Sequence, residues 1–365
     1  MLVVLSGGGT AGHINPAIAT AEVLMGRGVD VRFAGRPVGR ESEWVKAAGI
    51  PFKAFDAEGF HRGHVSTLIK GIAIDSKSTG LAKQWFKEIK PDVVVGFGGY
   101  VSIPVGRAAT KMGSPLVVHE QNSVMGWTNK YLASKADAVC LTYELANSPL
   151  KDESKVHLIG CPVRAAVYSK TREEGRALLG IPEDERMLLV TGGSLGALHL
   201  NKALCAMKER LLSYGDLHVV HVTGSRDYEM VKEMLALTPE EERRWHIVEY
   251  TNEMPACMAA ADAIVSRAGA SSLAEISARA LPAILVPFPA ATANHQETNA
   301  RAYADAGCAR MMLDADVDSP EFADLVCELV EDADLRAKMT AAARARKTAN
   351  AAEALADIVM ETARK

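Results

Sequence analysis

Short apolar runs alternate along the chain with longer segments in which apolar positions recur at helical spacing. The runs occupy residues 2–5, 31–33, 93–95, 116–118 and 138–141, and then 188–190, 219–222, 247–249, 263–265 and 284–286. Continuous apolar runs rich in β-branched residues are typical of parallel strands that helices cover on both faces. The pattern therefore predicts an α/β fold with doubly wound sheets.

The series of strands and helices occurs twice, and each series opens with a strand that runs into glycines, at 2–12 and at 188–197. Between them, Pro162 is incompatible with a central strand. Thr171, followed three residues later by Glu174, predicts the capped start of a new helix. We predict a first Rossmann-like domain over 1–162, a second over 163–347, and a last helix, about 348–365, that returns to the first domain.

Composition narrows the class of protein. The 365 residues, 48% of them hydrophobic, suit two domains, and 41 Lys and Arg against 45 Asp and Glu leave no global basic field for nucleic acid. The six cysteines stand singly, which favours reduced thiols in a cytoplasmic protein over disulfides or a zinc site. The sequence has neither the pattern of a signal peptide nor an apolar run long enough to span a membrane.

Two glycine clusters follow predicted strands of the first domain. Residues 7–12 fit the spacing GxGxxG, which brings backbone N–H groups close to an anion. A nicotinamide-binding half carries an acid at the end of its second strand, but residues 33–36 read FAGR. This argues against NAD and leaves an NADP oxidoreductase, with Arg36 on the extra phosphate, as the better of the two alternatives. The second cluster, at 96–102, is expected at the same sheet edge. Together the clusters predict a site for a diphosphate-sized anion.

Two side chains beside the glycine segments are candidates for chemistry. His13 stands at the mouth of the first helix and is a candidate proton acceptor, or else a capping histidine without a chemical role. In the second half, a helix expected to begin near Ala270 offers N–H groups to an anion. Glu275, one turn further on, either accepts hydrogen bonds from sugar hydroxyls or is a solvated helix residue.

Seven segments, taken in order, resemble one family of enzymes. They are GGGTAGH (7–13), GFGGYVSIP (96–104), HEQN (119–122), GCPVR (160–164), GGSLGA (192–197), SRAGASSLAE (266–275) and NHQETNA (294–300). The sequence is similar to the MurG family of UDP-N-acetylglucosamine:N-acetylmuramyl-(pentapeptide) pyrophosphoryl-undecaprenol N-acetylglucosaminyltransferases. The resemblance implies a GT-B fold, with two Rossmann-like domains facing across a cleft. It also implies inverting transfer of GlcNAc to the 4-hydroxyl of MurNAc in lipid I, which forms lipid II in peptidoglycan synthesis, with no cofactor or metal required.

The resemblance also implies the site residues. Those expected to bind the donor, UDP-GlcNAc, are Thr10, Ala11, Gly12, His13, Asn122, Arg164, Ser194, Thr251, Ala270, Glu275, His295 and Gln296. Those expected to bind the acceptor are Gly9, Thr10, Gly98, Gly99 and Tyr100.

Within the donor set, each residue has an implied role. Arg164, Ser194 and the backbone at Ala270 match positions that hold the diphosphate, Glu275 matches the ribose contact, and Gln296 matches the residue that reads the GlcNAc hydroxyls. We expect His13 to take the proton of the acceptor hydroxyl, with Glu120 as the runner-up.

Two positions depart from the family pattern. Cys161 stands where Asn is usual, which leaves a hydrogen bond of the linker in doubt. His295 stands where some members have a second Gln, which leaves one sugar contact in doubt.

A lipid-linked acceptor implies a protein that sits peripherally on the cytoplasmic side of the cell membrane, on its anionic leaflet. Segment 60–90 mixes lysines with apolar and aromatic residues, as interfacial surfaces do. The residues expected at this surface are Lys70, Ile72, Lys83, Trp85, Phe86 and Lys87. The alternative is an amphipathic helix that packs its Ile and Trp side chains into the core and leaves its lysines in water.

Two further functions stay open at this point. A GT-B enzyme of the UDP-GlcNAc 2-epimerase type binds the same donor without an acceptor. A non-catalytic sugar-nucleotide-binding protein of the cell-wall machinery would bind UDP-GlcNAc without releasing UDP.

Overall fold

The computed structural model describes residues 1–37, 41–57, 65–145, 150, 152–193, 196–291, 294–346 and 350–364, without the side chains of 65–72. The chain forms two compact units. The first comprises Met1–Arg164 together with Thr348–Lys365, and the second comprises Ala165–Lys347. The division after residue 164 lies two residues beyond the predicted one.

The first unit is built on a parallel sheet with seven strands in the described part of the chain, in the order β3-β2-β1-β4-β5-β6-β7. The strands are β1 (Leu2–Ser6), β2 (Asp30–Gly35), β3 (Phe52–Ala54), β4 (Val93–Gly96), β5 (Leu116–Glu120), β6 (Ala138–Leu141) and β7 (Val156–Leu158). The order reverses between β1 and β4, where Ser6 pairs with Gly96. In open parallel sheets this switch point is where ligands bind.

Helices cover both faces of this sheet. They are α1 (Ala11–Gly26), α2 (Glu41–Ala47), α3 (Val65–Ile89), α4 (Ser102–Met112) and α5 (Trp127–Ala133). One apolar core lies between the sheet and α1, and the other lies between the sheet and the layer formed by α3, α4 and α5. Both cores are continuous apolar layers, as expected for strands buried on two faces.

The interpretation of Trp85 and Phe86 as membrane-surface residues is wrong. Trp85 is only 8% exposed and Phe86 is fully buried, and both belong to the core under α3. Ala82, Trp85 and Phe86 are spaced three and four residues apart, so they share the face of α3 that packs on the sheet. Lys87 is exposed and Lys83 is half-buried. The side chains of Lys70 and Ile72 lie outside the described residues.

The second unit repeats the architecture with a six-stranded parallel sheet, counted over the described residues, in the order β10-β9-β8-β11-β12-β13. Its strands are β8 (Arg186–Thr191), β9 (Leu217–Val222), β10 (Trp245–Val248), β11 (Ala263–Ser266), β12 (Ala283–Leu285) and β13 (Ala309–Met311). Its helices are α6 (Ala165–Ser169), α7 (Arg172–Leu179), α8 (Leu198–Ala206), α9 (Lys208–Leu212), α10 (Tyr228–Leu235), α11 (Met254–Ala260), α12 (Ala270–Arg279), α13 (His295–Asp305), α14 (Pro320–Glu331) and α15 (Ala333–Ala345). The capping box predicted at Thr171 and Glu174 is confirmed at the start of α7.

The last helix, α16 (Ala351–Thr362), packs against α1 in the first unit. Its buried Leu355, Ala356 and Val359 complete the core on that face of the first sheet. On the surface, Arg27 at the end of α1 donates hydrogen bonds to the carboxylates of Glu353 and Asp357. The first core is therefore assembled from segments that are far apart in the sequence.

All six cysteines lie within the described residues and are buried, and no disulfide joins any two of them. Across the described helices, none combines the length and the apolar character that crossing a bilayer requires.

Candidate active site

The two glycine loops of the first unit meet at the edge of the sheet, beyond β1 and β4. A Cβ atom at Gly99, where φ is +77°, would lie 2.3 Å from the carbonyl oxygen of Gly8. A Cβ at Gly98, where φ is +99°, would lie 3.0 Å from Nε2 of His13. Only glycine fits such positions without displacing a neighbour. The structure thus brings the predicted acceptor residues Gly98 and Gly99 against the loop that carries His13.

His13 is held by a hydrogen bond within its own loop. Its Nδ1 lies 2.8 Å from the carbonyl oxygen of Gly8 and 3.2 Å from Oγ1 of Thr10. Because a carbonyl oxygen only accepts, Nδ1 carries the proton of the neutral ring, and Nε2, on the side of Gly98, holds the lone pair. An imidazole fixed in this tautomer is suited to accept a proton through Nε2.

Glu120, the runner-up as base, is buried at the end of β5 and holds a loop together. Its Oε1 accepts hydrogen bonds from the backbone N–H of Asn122, at 3.0 Å, and from Asn122 Nδ2, at 3.2 Å. Its Oε2 accepts from the backbone N–H of Gly126, at 2.9 Å, and from Asn129 Nδ2, at 2.8 Å. Both oxygens are engaged, so this carboxylate is poorly placed to take up a proton from a substrate. The geometry favours His13.

The neighbouring His119 links β5 to the segment that leads out of the unit. Its Nε2 donates to the carbonyl oxygen of Gly160, at 3.0 Å, and its Nδ1 accepts from Gln121 Nε2, at 3.1 Å. Burial lowers the pKa of this ring to about 4. His119 is therefore a neutral structural residue. Cys161, the departure next to Gly160, places its Sγ 3.9 Å from the carbonyl oxygen of Pro162.

The sequence reasoning missed Glu41, at the start of α2. Its buried carboxylate accepts hydrogen bonds from the backbone N–H groups of Gly9 and Arg36, each at 2.7 Å. The dinucleotide-binding pattern places an acid at the end of β2, whereas Glu41 lies further on, at the start of α2. The Gly9 donor, which the GxGxxG pattern assigned to an anionic ligand, is occupied by the protein's own carboxylate.

In the second unit, three of the predicted donor residues, Ala270, Glu275 and Gln296, lie on α12 or beside its start. Gly269 precedes this helix, and Nε2 of Gln296 lies 3.8 Å from the position of a Cβ at Gly269. Gln296 Oε1 accepts from the backbone N–H of Phe288, at 3.0 Å, which fixes the orientation of the amide. Glu275 is only 7% exposed, so the alternative of a solvated helix residue is wrong.

The remaining predicted residues have simple locations. Thr10 precedes α1, Ala11 and Gly12 lie in its first turn, and Ala270 and His295 begin α12 and α13. Tyr100 is exposed on the second glycine loop, and Arg164 is the last residue of the first unit. Thr251 Oγ1 accepts from the backbone N–H of Glu253, at 2.9 Å. Ser194 lies outside the described residues.

A second residue that sequence reasoning missed is Asn299, one turn beyond Gln296 on α13. Its side chain is buried, and neither Oδ1 nor Nδ2 has a hydrogen-bond partner among the described residues. Burying a polar group without a partner costs about 1–3 kcal/mol, so such groups mark places where a further polar group is expected. Asn299 could have been picked out from the sequence, because it belongs to the segment 294–300, which resembles the family.

Among the residues that the structure describes, no group of three or more His, Cys, Asp or Glu side chains is arranged to hold a metal ion.

Comparison with known proteins identifies the family. The glycosyltransferase family 28 N-terminal domain matches residues 3–141, and the family 28 C-terminal domain matches residues 187–356. A Moorella thermoacetica protein named UDP-N-acetylglucosamine--N-acetylmuramyl-(pentapeptide) pyrophosphoryl-undecaprenol N-acetylglucosamine transferase is 36% identical, over 99% of this chain and 99% of its own.

Solved structures agree with this match. The crystal structure of Acinetobacter baumannii MurG aligns with a TM-score of 0.74 and 27% identity, over 99% of both chains. A UDP-GlcNAc 2-epimerase from Neisseria meningitidis aligns with a TM-score of 0.66 over 99% of this chain and 100% of its own, but at 14% identity it shares the fold alone.

The fold is therefore the two-domain GT-B fold, and the oxidoreductase alternative is wrong. The chain belongs to glycosyltransferase family 28 and, within it, to the MurG family of N-acetylglucosaminyltransferases.

Proposed function

We propose that this chain transfers GlcNAc from UDP-GlcNAc to the 4-hydroxyl of MurNAc in undecaprenyl-pyrophosphoryl-MurNAc-pentapeptide, with His13 as the base. The observation that carries the role of His13 is its hydrogen bond to the carbonyl oxygen of Gly8, at 2.8 Å, which leaves the lone pair on Nε2. As the hydroxyl oxygen bonds to the anomeric carbon, the bond from that carbon to the diphosphate oxygen breaks. The hydroxyl proton passes to Nε2, and UDP leaves.

Residues of the second unit are proposed to hold the donor. The N–H groups in the first turn of α12 suit the diphosphate, because a helix N-terminus attracts negative charge. The buried carboxylate of Glu275 suits the two ribose hydroxyls, and the oriented amide of Gln296 suits the hydroxyls of GlcNAc. Ser194, and Arg164 at the end of the first unit, complete the proposed diphosphate contacts. Each of these groups hydrogen-bonds without the help of a cofactor.

We propose that the charge on departing UDP is stabilised by the α12 N-terminus and Arg164, and that no metal is required. Full activity in EDTA, measured against matched samples with added Mg²⁺ or Mn²⁺, is the expected result. Loss of activity in EDTA and its recovery with a divalent metal would contradict the metal-free proposal.

The central test is His13→Gln assayed with radiolabelled UDP-GlcNAc and a lipid I analogue. Loss of a general base lowers kcat by roughly 10²- to 10⁴-fold, while binding of UDP-GlcNAc should change little. His157→Gln on the edge strand β7 is the matched control and should keep the parent rate. A His13→Gln rate within a fewfold of the parent would assign the base elsewhere.

A reaction without acceptor separates the competing functions. A transferase releases UDP at the full rate only when the lipid I analogue is present. Epimerisation of UDP-GlcNAc in the absence of acceptor would favour the 2-epimerase alternative, and binding without UDP release would favour the non-catalytic one.

We also infer that the layer of α3, α4 and α5 faces the anionic leaflet of the membrane. Residues 73–135 contain eight Lys and Arg against four Asp and Glu, and two of those acids, Asp75 and Glu120, are buried. Trp127 on α5 is 55% exposed and stacks on Tyr131, with ring centroids 6.1 Å apart. An exposed tryptophan that stacks on a half-buried tyrosine, with lysines nearby, suits the level of the lipid headgroups. We therefore propose Trp127, instead of Trp85, as the tryptophan at the membrane surface.

Vesicle flotation tests this location. Binding is expected to vesicles that contain phosphatidylglycerol and not to pure phosphatidylcholine, because each lysine near an anionic surface contributes about 1 kcal/mol. Trp127→Ala or Lys87→Glu should weaken binding, whereas Leu178→Ala, an equally exposed residue of the second unit, should not. Equal binding to both kinds of vesicle, or no binding at low salt, would contradict the proposal.

A further inference from the structure

The peptide group between Gly8 and Gly9 links a buried carboxylate to the imidazole of His13. Its N–H, on Gly9, donates to Glu41 Oε2 at 2.7 Å, and its carbonyl, on Gly8, accepts from His13 Nδ1 at 2.8 Å. The two hydrogen bonds thus lie at the two ends of the same planar amide. Glu41 and His13 are thus joined in a single line of hydrogen bonds.

Glu41 is held firmly in this position. Its side chain is 3% exposed, and its second oxygen accepts from the backbone N–H of Arg36, at 2.7 Å. A Cβ at Gly8 would lie 3.0 Å from both carboxylate oxygens, so the loop packs directly on the acid. A buried carboxylate is retained only where donors satisfy it, and both donors here are backbone groups of the strand ends around the site.

The second glycine loop fixes the other side of the same peptide. Gly99 leaves space for no side chain next to the Gly8 carbonyl, where a Cβ would lie 2.3 Å from the oxygen. Ser102 Oγ donates to the carbonyl oxygens of Ser6, at 3.0 Å, and Gly98, at 2.8 Å, and so ties β1 to this loop. The peptide therefore cannot rotate without displacing both loops.

We propose that Glu41 is a positioning residue for His13, acting through the Gly8–Gly9 peptide. Its negative charge polarises the amide, strengthens the acceptor at the Gly8 carbonyl and so keeps the proton of the neutral ring on Nδ1. The role resembles that of the aspartate in a serine hydrolase triad, which fixes the tautomer of its histidine and stabilises the imidazolium, except that here a peptide group stands between the two side chains. The inference rests on the proposed role of His13 as base.

Other charged or titratable groups border the same site. Tyr100 lies on the second glycine loop, Arg36 follows β2, and His119 and Glu120 end β5. Glu120 is engaged by four donors, and His119 is neutral because burial lowers its pKa to about 4. Glu41 is therefore the carboxylate that the described hydrogen bonds connect to His13.

The test is Glu41→Gln in the full-length protein, with Glu43→Gln on the exposed face of the same helix as control. The amide keeps the shape of the side chain but removes its charge and one of its two acceptors. We expect kcat to fall about tenfold or more with the KM for UDP-GlcNAc within twofold. The acidic limb of the pH profile of kcat should move to lower pH, because the imidazolium loses a stabilising charge.

A spectroscopic measurement complements the kinetics. The ¹⁵N shifts of the His13 ring should show protonation at Nδ1 in the parent and a mixture of tautomers in Glu41→Gln. Glu41→Asp, which retains the charge, should recover part of the kcat. An unchanged pH limb and an unchanged tautomer in Glu41→Gln would reduce Glu41 to a structural residue and overturn the inference.

The double variant separates this inference from the proposed function. In a His13→Gln background, Glu41→Gln should cause no further loss of kcat, because the two residues act as one unit. If His13→Gln itself retains the parent rate, the proposed base is wrong. If His13→Gln is deficient and Glu41→Gln is within twofold of the parent, only the role of Glu41 is wrong.

Discussion

Buried carboxylates shape the first unit at the level of single residues. Glu120 holds the loop after β5 through four hydrogen bonds, and Glu41 holds the loop after β1. The role of Glu41 was not predicted, because the partners of a carboxylate are set by the fold: Gly9 and Glu41 are 32 residues apart in the sequence. His13 was foreseen, since it stands inside a glycine pattern that is itself local.

Glu120→Gln should destabilise the protein. The amide can replace one accepting oxygen but not the other, so at least one buried donor loses its partner. The expected decrease in the free energy of unfolding is roughly 1–3 kcal/mol, measured by urea denaturation. Glu153→Gln, at an exposed position, should stay within about 0.5 kcal/mol of the parent. A Glu120→Gln protein with parental stability and no activity would revive this residue as a catalytic acid or base.

His199 makes the stability of the second unit depend on pH. Hydrogen bonds to the carboxylates of Asp318, at 2.8 Å, and Asp314, at 3.0 Å, raise its pKa above the usual 6.5. A raised pKa in the folded state gives stabilisation that is complete below pH 6.5 and is lost as pH rises through the folded-state pKa. The melting temperature should therefore fall between pH 6.5 and 8.5 by more in the parent than in His199→Gln. Equal changes in melting temperature with pH in the two proteins would show that the hydrogen bonds of His199 to the two aspartates do not contribute to stability.

At the level of elements, the sequence predicts the central strands of each sheet and misses three of the four edge strands. All ten predicted strands are confirmed, whereas β3, β7 and β13 were not predicted. Each of the three is an edge strand of three residues with partly or fully exposed positions. A strand buried on both faces must be apolar throughout, but an edge strand is free of that requirement, so its composition carries little signal.

Two parts of the site prediction, the glycine loops and the apolar stripe of α3, differ in how far the sequence alone determines them. The glycine loops were predictable, because close backbone approach requires glycine. The burial of Trp85 and Phe86 was not predictable, because an apolar stripe has the same sequence pattern whether it faces lipid or a core. Trp85 on α3 is 8% exposed and Trp127 on α5 is 55% exposed, a difference that depends on how their helices pack.

Gly99→Ala isolates the contact between the two glycine loops. Its control is Gly113→Ala, which has nearly the same backbone angle, φ +75° against +77°, but no atom within 4 Å of the added Cβ. Both variants should lose roughly 1–2 kcal/mol of stability from the left-handed conformation. Gly99→Ala must also push the loop off Gly8, so its kcat should fall at least tenfold while that of Gly113→Ala is unchanged. Similar activities would mean that the loops move independently.

At the level of the whole molecule, each unit packs a buried acid against its first glycine loop. In each, a buried acid from the region after the second strand packs on the loop after the first strand. Glu41 does so in the first unit, and in the second a Cβ at Gly196 would lie 2.7 Å from Oδ2 of Asp227. Asn201 Nδ2 also donates to Asp227, at 3.1 Å. The resemblance of the two halves thus extends from strand order to the support of the loops.

Each unit also contains a histidine that folding keeps neutral. Burial lowers the pKa of His119 to about 4 in the first unit and that of His221 to about 3 in the second. Below pH 6.5 the unfolded chain binds protons that the folded rings do not, so stability falls as pH drops from 6.5 towards 4. Each unit of pKa difference corresponds to roughly 1.4 kcal/mol.

Urea midpoints measured between pH 7 and pH 4 should therefore decrease steadily. The decrease should be smaller in His221→Asn, which cannot become charged, even though that variant starts from a lower stability. An identical slope in the variant would contradict a neutral buried His221.

Because α16 packs on α1, the two units cannot be completed in the order in which their chains are synthesised. Residues 165–347 leave the ribosome before residues 351–362 do, so the second unit is complete while the first still lacks Leu355, Ala356 and Val359. Until those side chains arrive, the part of this sheet face that α16 covers lacks its packing partner, while α1 covers the rest. The unit that carries His13 is thus the earlier one to be synthesised and the later one to be finished.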